Sequence, residues 1–266
     1  MNWLRTLLKK YLPFWLIVKI NALRGYSYSE KEDLTRRRVN FYRLFLNKGD
    51  LVFDVGANYG NRVTPFLQLS CRVVAVEPLP DCFRYLNYKF GKKIQIENVC
   101  LGAAKGESDL YVGKINSIST LSSDFIARTT KSGRFEEDSW QERIKVTVST
   151  LDELIRKYGV PKFIKIDTEG YEIEVLKGLS ENVPHLSFEY TLPEFEKELI
   201  DILAVLNLKG LMEINLSVGE EMSFAFEKWM ALDEFLVFLQ NNKSKLEGWG
   251  DIYVRFLDIG SSTKIR

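Results

Sequence analysis

Short apolar runs alternate with helical segments in the first half of the chain, and this alternation constrains the fold more than any other feature. The runs at 51–55 and 72–78 are typical of strands buried inside a sheet, and residues 94–99 predict a third strand. Residues 61–70 and 81–90, which lie between these strands, are predicted to be helices. Because strands joined by helices pair in parallel through right-handed crossovers, the pattern predicts a doubly wound α/β fold.

The rest of the chain continues the pattern. Helices are predicted at 30–47, 150–159, 171–179, 193–208 and 231–241, and strands at 162–170, 185–190, 211–217 and 251–257. Residues 108–113 and 144–150 alternate apolar and polar side chains, which predicts an antiparallel hairpin. The polar stretch 114–143 is too long for an ordinary connection, so we predict a lid or binding loop. We expect a mostly parallel Rossmann-like sheet of about seven strands within 48–258, preceded by an N-terminal helical segment at 1–47.

The composition excludes several classes of function. The 266 residues carry a formal net charge of +1, so the overall electrostatics predicts no nucleic-acid partner. The single histidine, His185, and three cysteines are too sparse for most zinc sites, and we predict no metal ligand. A divalent metal at Asp167 and Glu169 is the open alternative, for which two carboxylates without further ligands are weak evidence. The cysteines are predicted to be reduced thiols of a cytoplasmic protein. The basic block Arg36-Arg37-Arg38 is interpreted as a solvated helix face.

The N-terminal stretch 11–18 is apolar and flanked by lysines. It is shorter than the roughly 20 residues that a helix needs to span a bilayer, and Pro13 interrupts it. We therefore predict that residues 1–23 form an amphipathic helical segment docked on the domain. Contact of this segment with a membrane surface is the alternative.

The turn after the first predicted strand has the sequence Asp-Val-Gly-Ala-Asn-Tyr-Gly at 54–60. Gly56 and Gly60 permit a tight turn and let a ligand approach the backbone. The second predicted strand ends at Glu77, about 20 residues later, which is the spacing of a carboxylate that binds ribose hydroxyls. Since ligands of doubly wound sheets bind beyond the carboxyl ends of the strands, we expect a nucleoside cofactor there.

Two asparagines distinguish this turn from the Gly-x-Gly-x-x-Gly motif of dinucleotide-binding proteins. Asn58 replaces the second glycine, at which a pyrophosphate approaches the backbone, and Asn61 replaces the third. The replacement argues against NAD or FAD, and the carboxylate of Asp54 favours a cationic cofactor without phosphate. S-adenosylmethionine, which carries a ribose, an ammonium and a sulfonium, fits this pattern better. A nicotinamide-dependent oxidoreductase remains the alternative.

Several stretches resemble the FkbM family of S-adenosylmethionine-dependent methyltransferases. In the order found in that family, they are residues 53–61, 73–80, 98–112, 119–123, 148–154, 163–178 and 186–190. The most specific is Lys-Ile-Asp-Thr-Glu-Gly-Tyr-Glu, which begins at Lys165. The resemblance covers about residues 50–257. It implies the seven-stranded sheet of class I methyltransferases and O-methylation of hydroxyls on sugars or polyketides.

The resemblance also implies a role for each matching residue. The cofactor pocket would include Asp54, Gly56, Ala57, Asn58, Gly60 and Asn61 near the methionine moiety, Glu77 and Pro78 near the ribose, and Asn98, Cys100 and Leu101 near the adenine. Lys165, Asp167 and Glu169 would face the transferred methyl group or the acceptor. The acceptor would be a small molecule or a glycan.

Other roles for the same residues stay open from the sequence alone. A hydroxyl acceptor benefits from a base, and with a single histidine the base would be Asp167 or Glu169. These two carboxylates are alternatively caps of the helix near Tyr171. Lys165 is alternatively a structural ion-pair partner of Glu77 or Glu189. A non-catalytic protein that binds a nucleoside cofactor would share every cofactor residue.

Overall fold

The computed structural model describes residues 28–136 and 139–257. The strands are β1 Leu51–Val55, β2 Arg72–Val76, β3 Gln95–Glu97, β4 Cys100–Leu101, β5 Gly106–Gly113, β6 Trp140–Ser149, β7 Phe163–Ile166, β8 His185–Leu192, β9 Met212–Val218, β10 Met230–Ala231 and β11 Gly248–Phe256. The helices are α1 Tyr28–Tyr42, α2 Val63–Gln68, α3 Pro80–Phe90, α4 Ser123–Lys131, α5 Leu151–Tyr158, α6 Glu172–Lys177, α7 Glu196–Asn207 and α8 Leu232–Asn242.

Eight of the strands form a central sheet in the order β10-β9-β11-β8-β7-β1-β2-β3. The five neighbouring strands β8, β7, β1, β2 and β3 pair in parallel. In contrast, β11 is antiparallel to both of its neighbours, β8 and β9. The chain builds outward in one direction from β1 to β3 and in the other from β7, so the strand order reverses between β1 and β7. In doubly wound sheets this reversal marks the crevice in which ligands bind. The topology confirms the predicted α/β class.

A second, three-stranded sheet has the order β4-β6-β5. Its strands β5 and β6 are antiparallel, which confirms the predicted hairpin. The stretch predicted as a lid or binding loop at 114–143 contains helix α4, and its end already belongs to β6. The helix forms because Ser122 caps it, since its Oγ accepts a hydrogen bond from Phe125 N at 3.0 Å, and because Phe125 is buried. The sequence analysis also missed the two-residue strands β4 and β10.

The two faces of the central sheet differ in polarity. Phe53, Val55 and Ile164 belong to the larger apolar cluster on one face. Asp54 and Lys165, which pair side by side in β1 and β7, point to the other face because side chains alternate along a strand. Both are at least 98% buried, since Asp54 is 2% exposed and Lys165 is 1% exposed. The sheet therefore carries buried charge next to the strand reversal.

Helix α1 covers part of this second face. Its residues Phe41 and Tyr42 are buried, and Phe41 packs edge-on against Tyr253 of β11 at 5.1 Å between ring centroids. Residues 1–27 lie outside the described residues, so the prediction for 1–23 has no structural counterpart here. The boundary at residue 47 stays a prediction. No helix within 28–136 and 139–257 is both long and apolar enough to cross a membrane.

Candidate functional site

The turn after β1 packs tightly against the end of β7. Gly56 has a φ of +83°, and a Cβ atom there would lie 1.8 Å from the carbonyl oxygen of Asp167. Asn58, which replaces the second glycine of the dinucleotide motif, adopts a left-handed φ of +48°. Asparagine tolerates this conformation better than most residues. At Gly60 a Cβ atom would lie 2.4 Å from the ring of Phe90, so the absence of a side chain there allows α3 to pack.

Glu77 directly follows β2, and its side chain is buried, with 4% of the residue exposed. Its two carboxylate oxygens accept hydrogen bonds from the backbone N–H of Asn58 at 2.7 Å and of Leu79 at 2.8 Å. Burial raises the pKa of this carboxyl to about 7, although both backbone donors favour the ionised form. Glu77 thereby ties the turn after β1 to the chain after β2. Asn98 supports that chain, since its Nδ2 donates to Glu77 O at 2.8 Å and to Pro78 O at 3.0 Å.

Two adjoining cavities open at this end of the sheet. The smaller cavity holds about 550 Å³ of empty space, open solvent at its mouth included, and lies over the ends of β1, β2 and β4. Its walls include Glu77, Val99, Leu101, Leu110 and Tyr171. No lysine, arginine or histidine lines it among the described residues. The smaller cavity is therefore a largely apolar site with carboxylates and no basic group.

The larger cavity holds about 1290 Å³ of empty space by the same measure and lies over β1, β7, β8 and β11. Charged side chains from distant parts of the chain line it, namely Arg38, Arg62, Arg134, Glu189, Glu220 and Asp251. Trp249 and Phe135 add aromatic surface. Five residues, Gly56, Asn58, Ser117, Asp167 and Glu169, line both cavities. The two cavities therefore meet where the turn after β1 contacts the end of β7.

Three carboxylates converge at this junction. One oxygen each of Asp167, Glu169 and Glu189 lies within 4.8 Å of the others. Burial, together with the neighbouring carboxylate of Asp167, raises the pKa of both Glu169 and Glu189 well above the usual range. Glu169 adopts a φ of +55°, and its carbonyl oxygen accepts a hydrogen bond from Thr120 Oγ1 at 2.7 Å. The side chain of Thr120 thus ties the stretch 114–136 to the backbone of Glu169.

Lys165 lies beneath this cluster. Its Nζ is 2.8 Å from Asp251 Oδ1 and 3.2 Å from Asp167 Oδ2. Burial lowers the pKa of the ammonium, but the two carboxylates outweigh burial and raise it overall. The expectation that Lys165 pairs with Glu77 or Glu189 is wrong, because the antiparallel insertion of β11 brings Asp251 beside it instead. Lys165 lies on the wall of neither cavity, so the structure places it under the site.

A second ion-pair group lies beside Lys165. Glu220 accepts from Arg38 at 2.9 Å and from Arg62 at 2.8 Å, and Arg62 is 3.9 Å from Asp251. Arg38 is 6% exposed, which contradicts the interpretation of the basic block at 36–38 as a wholly solvated face. Arg36 and Arg37 do pair with Asp33 at the surface, as that interpretation expects. The difference arises because Arg38 is on the side of α1 that faces the domain.

Helix α4 and the residues after it cover the larger cavity. Arg134 Nε and Nη2 donate to the carboxylate of Glu194 at 2.9 and 2.8 Å, and Arg128 pairs with Glu198 at 2.8 Å. The ring of Phe125 stacks on Phe195 with 5.5 Å between centroids. These contacts fasten the covering segment to the residues after β8 and to the first turn of α7.

The predicted site residues distribute over both cavities. The smaller cavity is lined by Gly56, Asn58, Glu77, Pro78, Cys100 and Leu101. Asp54, Ala57 and Asn61 line only the larger cavity, whereas Gly60 and Asn98 line neither. Asp167 and Glu169 do not cap α6, which begins after Tyr171 without a side-chain cap. Instead Glu172 accepts from the N–H of Thr168 at 2.8 Å.

The sequence analysis missed Glu189 as a site residue, together with Arg62, Glu220 and Asp251. For Glu189 a signal existed, because it lies in a predicted strand that would run parallel to the one ending at Asp167. His185 was correctly predicted at a strand start, and it lines neither cavity. The three cysteines are buried and unbridged, as predicted.

Comparison with known proteins gives one curated relative and several structures of similar fold. The hexuronic acid methyltransferase AglP of Haloferax volcanii is 26% identical over 213 residues, which is 69% of this chain and 81% of that protein. The structure of a precorrin-6y C5,15-methyltransferase from Geobacter metallireducens matches 84% of this chain and 86% of its own at 9% identity, with a TM-score of 0.42. The structure of an O-methyltransferase from Bacillus cereus in complex with SAH matches 95% of this chain and 96% of its own at 9% identity, with a TM-score of 0.40.

A family model described as the methyltransferase FkbM domain matches residues 54–245. The match begins at Asp54, near the end of β1, and includes the turn after that strand, Glu77 and the carboxylates at the junction of the two cavities. It therefore includes the residues on which the sequence resemblance was based. The chain belongs to the FkbM family of methyltransferases.

Proposed function

We propose that the protein is an S-adenosylmethionine-dependent O-methyltransferase that methylates a hydroxyl of a sugar or glycan. The observation that carries the proposal is the pair of cavities meeting at Gly56, Asp167 and Glu169. Methyl transfer requires a donor and an acceptor held in line, and such positioning supplies a large part of the acceleration. Two adjoining sites with a common wall meet that requirement.

The residues of the smaller cavity fit this cofactor. The absence of basic groups from its described walls suits a nucleoside without phosphate and disfavours the pyrophosphate of NAD. A carboxylate has about four acceptor positions, so Glu77 retains capacity for ribose hydroxyls beyond its two backbone donors. Val99, Leu101 and Leu110 offer an apolar surface for the adenine.

When bound, the cofactor supplies an electrophilic methyl group on a sulfonium. The larger cavity would hold the acceptor, with its hydroxyl at the wall that Gly56, Asp167 and Glu169 share with the smaller cavity. The hydroxyl proton passes to a carboxylate oxygen of Glu169, which lines both cavities and has no ion-pair partner among the described residues. The raised pKa of Glu169 suits a base, whereas one carboxylate oxygen of Asp167 is already engaged by the ammonium of Lys165.

The acceptor class rests on the larger cavity and on the curated relative. The cavity combines carboxylates, guanidinium groups and the aromatic surfaces of Trp249 and Phe135, which suits a polyhydroxylated ligand. The relative from Haloferax volcanii is named for methylating a hexuronic acid, which supports a sugar acceptor here. A cytoplasmic location stays a prediction.

Calorimetric titration with S-adenosylhomocysteine and, separately, with NAD tests the proposal. We expect S-adenosylhomocysteine to bind with micromolar affinity and NAD not to bind. Transfer of a labelled methyl group to an extract of glycans then tests the acceptor class, and alkaline stability of the product separates an ether from an ester. Binding of NAD without binding of S-adenosylhomocysteine would overturn the proposal in favour of an oxidoreductase.

A further inference from the structure

Every basic group around the larger cavity is already paired. Arg38 and Arg62 share the carboxylate of Glu220, and Arg134 is held by Glu194. Lys165 is held between Asp167 and Asp251. No guanidinium or ammonium of the described residues is therefore left to neutralise another carboxylate in this cavity.

Two carboxylates on the cavity wall have no such partner. Glu169 and Glu189 form no side-chain hydrogen bond or ion pair within residues 28–136 and 139–257, and each is partly buried. Asp167, the third member of the cluster, shares only one of its oxygens with Lys165. When these carboxyl groups are ionised, no basic side chain of the described residues pairs with Glu169 or Glu189.

Asp54 is an independent indication of missing positive charge. It comes from a different strand, is 2% exposed and lines the wall of the same cavity. Its Oδ2 is buried without any hydrogen-bond partner, which is costly for a carboxylate unless a counter-charge is near. Burial raises the pKa of Asp54 to about 7, even though Lys165 and Arg62 oppose the shift.

The geometry of the cluster suits a bound cation. Oxygens of Asp167, Glu169 and Glu189 lie within 4.8 Å of one another, so one ion at the centre can contact all three. Hard divalent cations take oxygen ligands at about 2.0–2.6 Å, which this spacing permits after small side-chain adjustments. An ammonium group, with three donors, can likewise bridge the three carboxylates.

We propose that the larger cavity contains a cation-binding subsite formed by Asp167, Glu169 and Glu189. The cation is either a divalent metal ion or an ammonium group carried by the acceptor. The ammonium alternative rests on the proposed function, because it places the acceptor in this cavity. The metal alternative does not, since a metal ion binds whether or not the acceptor is a sugar. In both cases the cation lies beside the junction at which the methyl group is transferred.

Glu189 is the residue to vary, because it lines only the larger cavity. Glu189→Gln keeps the size of the side chain and removes its charge, and Glu107→Gln is a matched control at an exposed position. Titration of each variant with S-adenosylhomocysteine shows whether the fold and the smaller cavity are intact. We expect unchanged affinity for this ligand in both variants.

The metal arm titrates the full chain, freed of metal with EDTA and dialysed, with MgCl2, MnCl2 and CaCl2 by calorimetry. We expect saturable binding of one ion, weakened at least tenfold in Glu189→Gln and unchanged in Glu107→Gln. The ammonium arm compares glucosamine with glucose in the presence of EDTA and S-adenosylhomocysteine. There we expect glucosamine to bind at least tenfold more tightly than glucose, with the difference lost in Glu189→Gln.

Binding in either arm that depends on Glu189 supports the subsite and identifies the source of the cation. Binding in neither arm, or binding that Glu189→Gln leaves unchanged, overturns it. Failure of the proposed function is seen separately, as loss of S-adenosylhomocysteine binding by the wild-type protein. The metal arm is run without that ligand, so it decides the metal alternative in either case.

Discussion

The two cavities share a wall and differ in almost everything else. The smaller cavity takes its polar contacts from the ends of neighbouring parallel strands, and its described walls carry no basic group. The larger cavity takes its charges from segments far apart, such as Arg38 and Glu220, which pair across 182 positions. The first is a product of local chain geometry, and the second is a product of how the finished sheet brings distant residues together.

This difference has an energetic side. In the smaller cavity the buried carboxylate of Glu77 is satisfied by two backbone N–H groups, which need no second side chain. In the larger cavity buried charges depend on each other, so the loss of one leaves others uncompensated. Substitutions of charged residues in the larger cavity should therefore lower the stability of the fold, whereas substitutions in the smaller cavity should mainly lower the affinity for the ligand.

The largest expected effect is that of Lys165→Met, which keeps most of the side-chain volume and removes the ammonium between Asp167 and Asp251. Removal of one partner of a buried ion pair typically costs about 3–5 kcal/mol of stability. Urea unfolding followed by circular dichroism measures the loss. Lys145→Met is the control, because its pair with Asp109 is exposed and should contribute less than about 1 kcal/mol. An equal loss of unfolding free energy in Lys165→Met and Lys145→Met would contradict the mutual dependence of the buried charges in the larger cavity.

On the smaller side, Glu77→Ala should weaken S-adenosylhomocysteine binding by about 30-fold or more, which is about 2 kcal/mol. The change leaves the N–H groups of Asn58 and Leu79 without an acceptor and removes the carboxylate proposed to bind ribose. Glu77→Gln should lose less affinity, because its carbonyl oxygen can still accept one of the two bonds. Calorimetric titration gives both values. Unchanged affinity in a folded Glu77→Ala protein would contradict the assignment of the smaller cavity to the cofactor.

The same difference explains how far the sequence could predict the site. Gly56 and Glu77 directly follow two strands that the apolar runs predict, and adjacent strands with helical crossovers place the ends of those strands together. Even the replacement of glycine by Asn58 preserves the left-handed backbone, because asparagine tolerates a positive φ. The smaller cavity therefore follows from short-range patterns.

The larger cavity could not be predicted in this way. Strand β11 comes last among the strands of the described residues but inserts between β8 and β9, and the order of elements in the sequence does not reveal this. That insertion sets Asp251 opposite Glu189 and next to Lys165, which changes the partner that the sequence suggested for the lysine. The covering helix α4 was missed because its Ser- and Thr-rich flanks favour loops, while its cap and the burial of Phe125 favour the helix.

A smaller effect should appear in the pH dependence of stability. The pKa of Asp54 rises from 3.8 to about 7 through burial, so between these values the folded protein holds a proton that the unfolded chain releases. Its contribution is therefore present below about pH 4 and is lost as the pH rises through 7. Between pH 5 and 7 the wild type should lose up to about 1.4 kcal/mol per pH unit more than Asp54→Asn. Urea unfolding at several pH values measures this difference in stability. Asp109→Asn, a substitution at an exposed position, is the control. Parallel pH profiles for wild type and Asp54→Asn would contradict a raised pKa of Asp54 in the folded protein.

The smallest effect concerns the cover of the larger cavity. Ser122→Ala removes the Oγ that accepts from Phe125 N and should destabilise α4 by about 1 kcal/mol, which is typical for the loss of an N-cap. Thr150→Ala removes the equivalent cap of α5, whose Oγ1 accepts from Glu153 N at 3.2 Å, and serves as the control. Hydrogen exchange should quicken about fivefold within 123–131 in the first variant and within 151–158 in the second.

Because α4 is fastened through Arg128 and Phe125 to the chain around Phe195, its opening should expose the larger cavity and leave the smaller one protected. Faster exchange at β2 as well as at α4 in Ser122→Ala would show instead that the two cavities open as one unit.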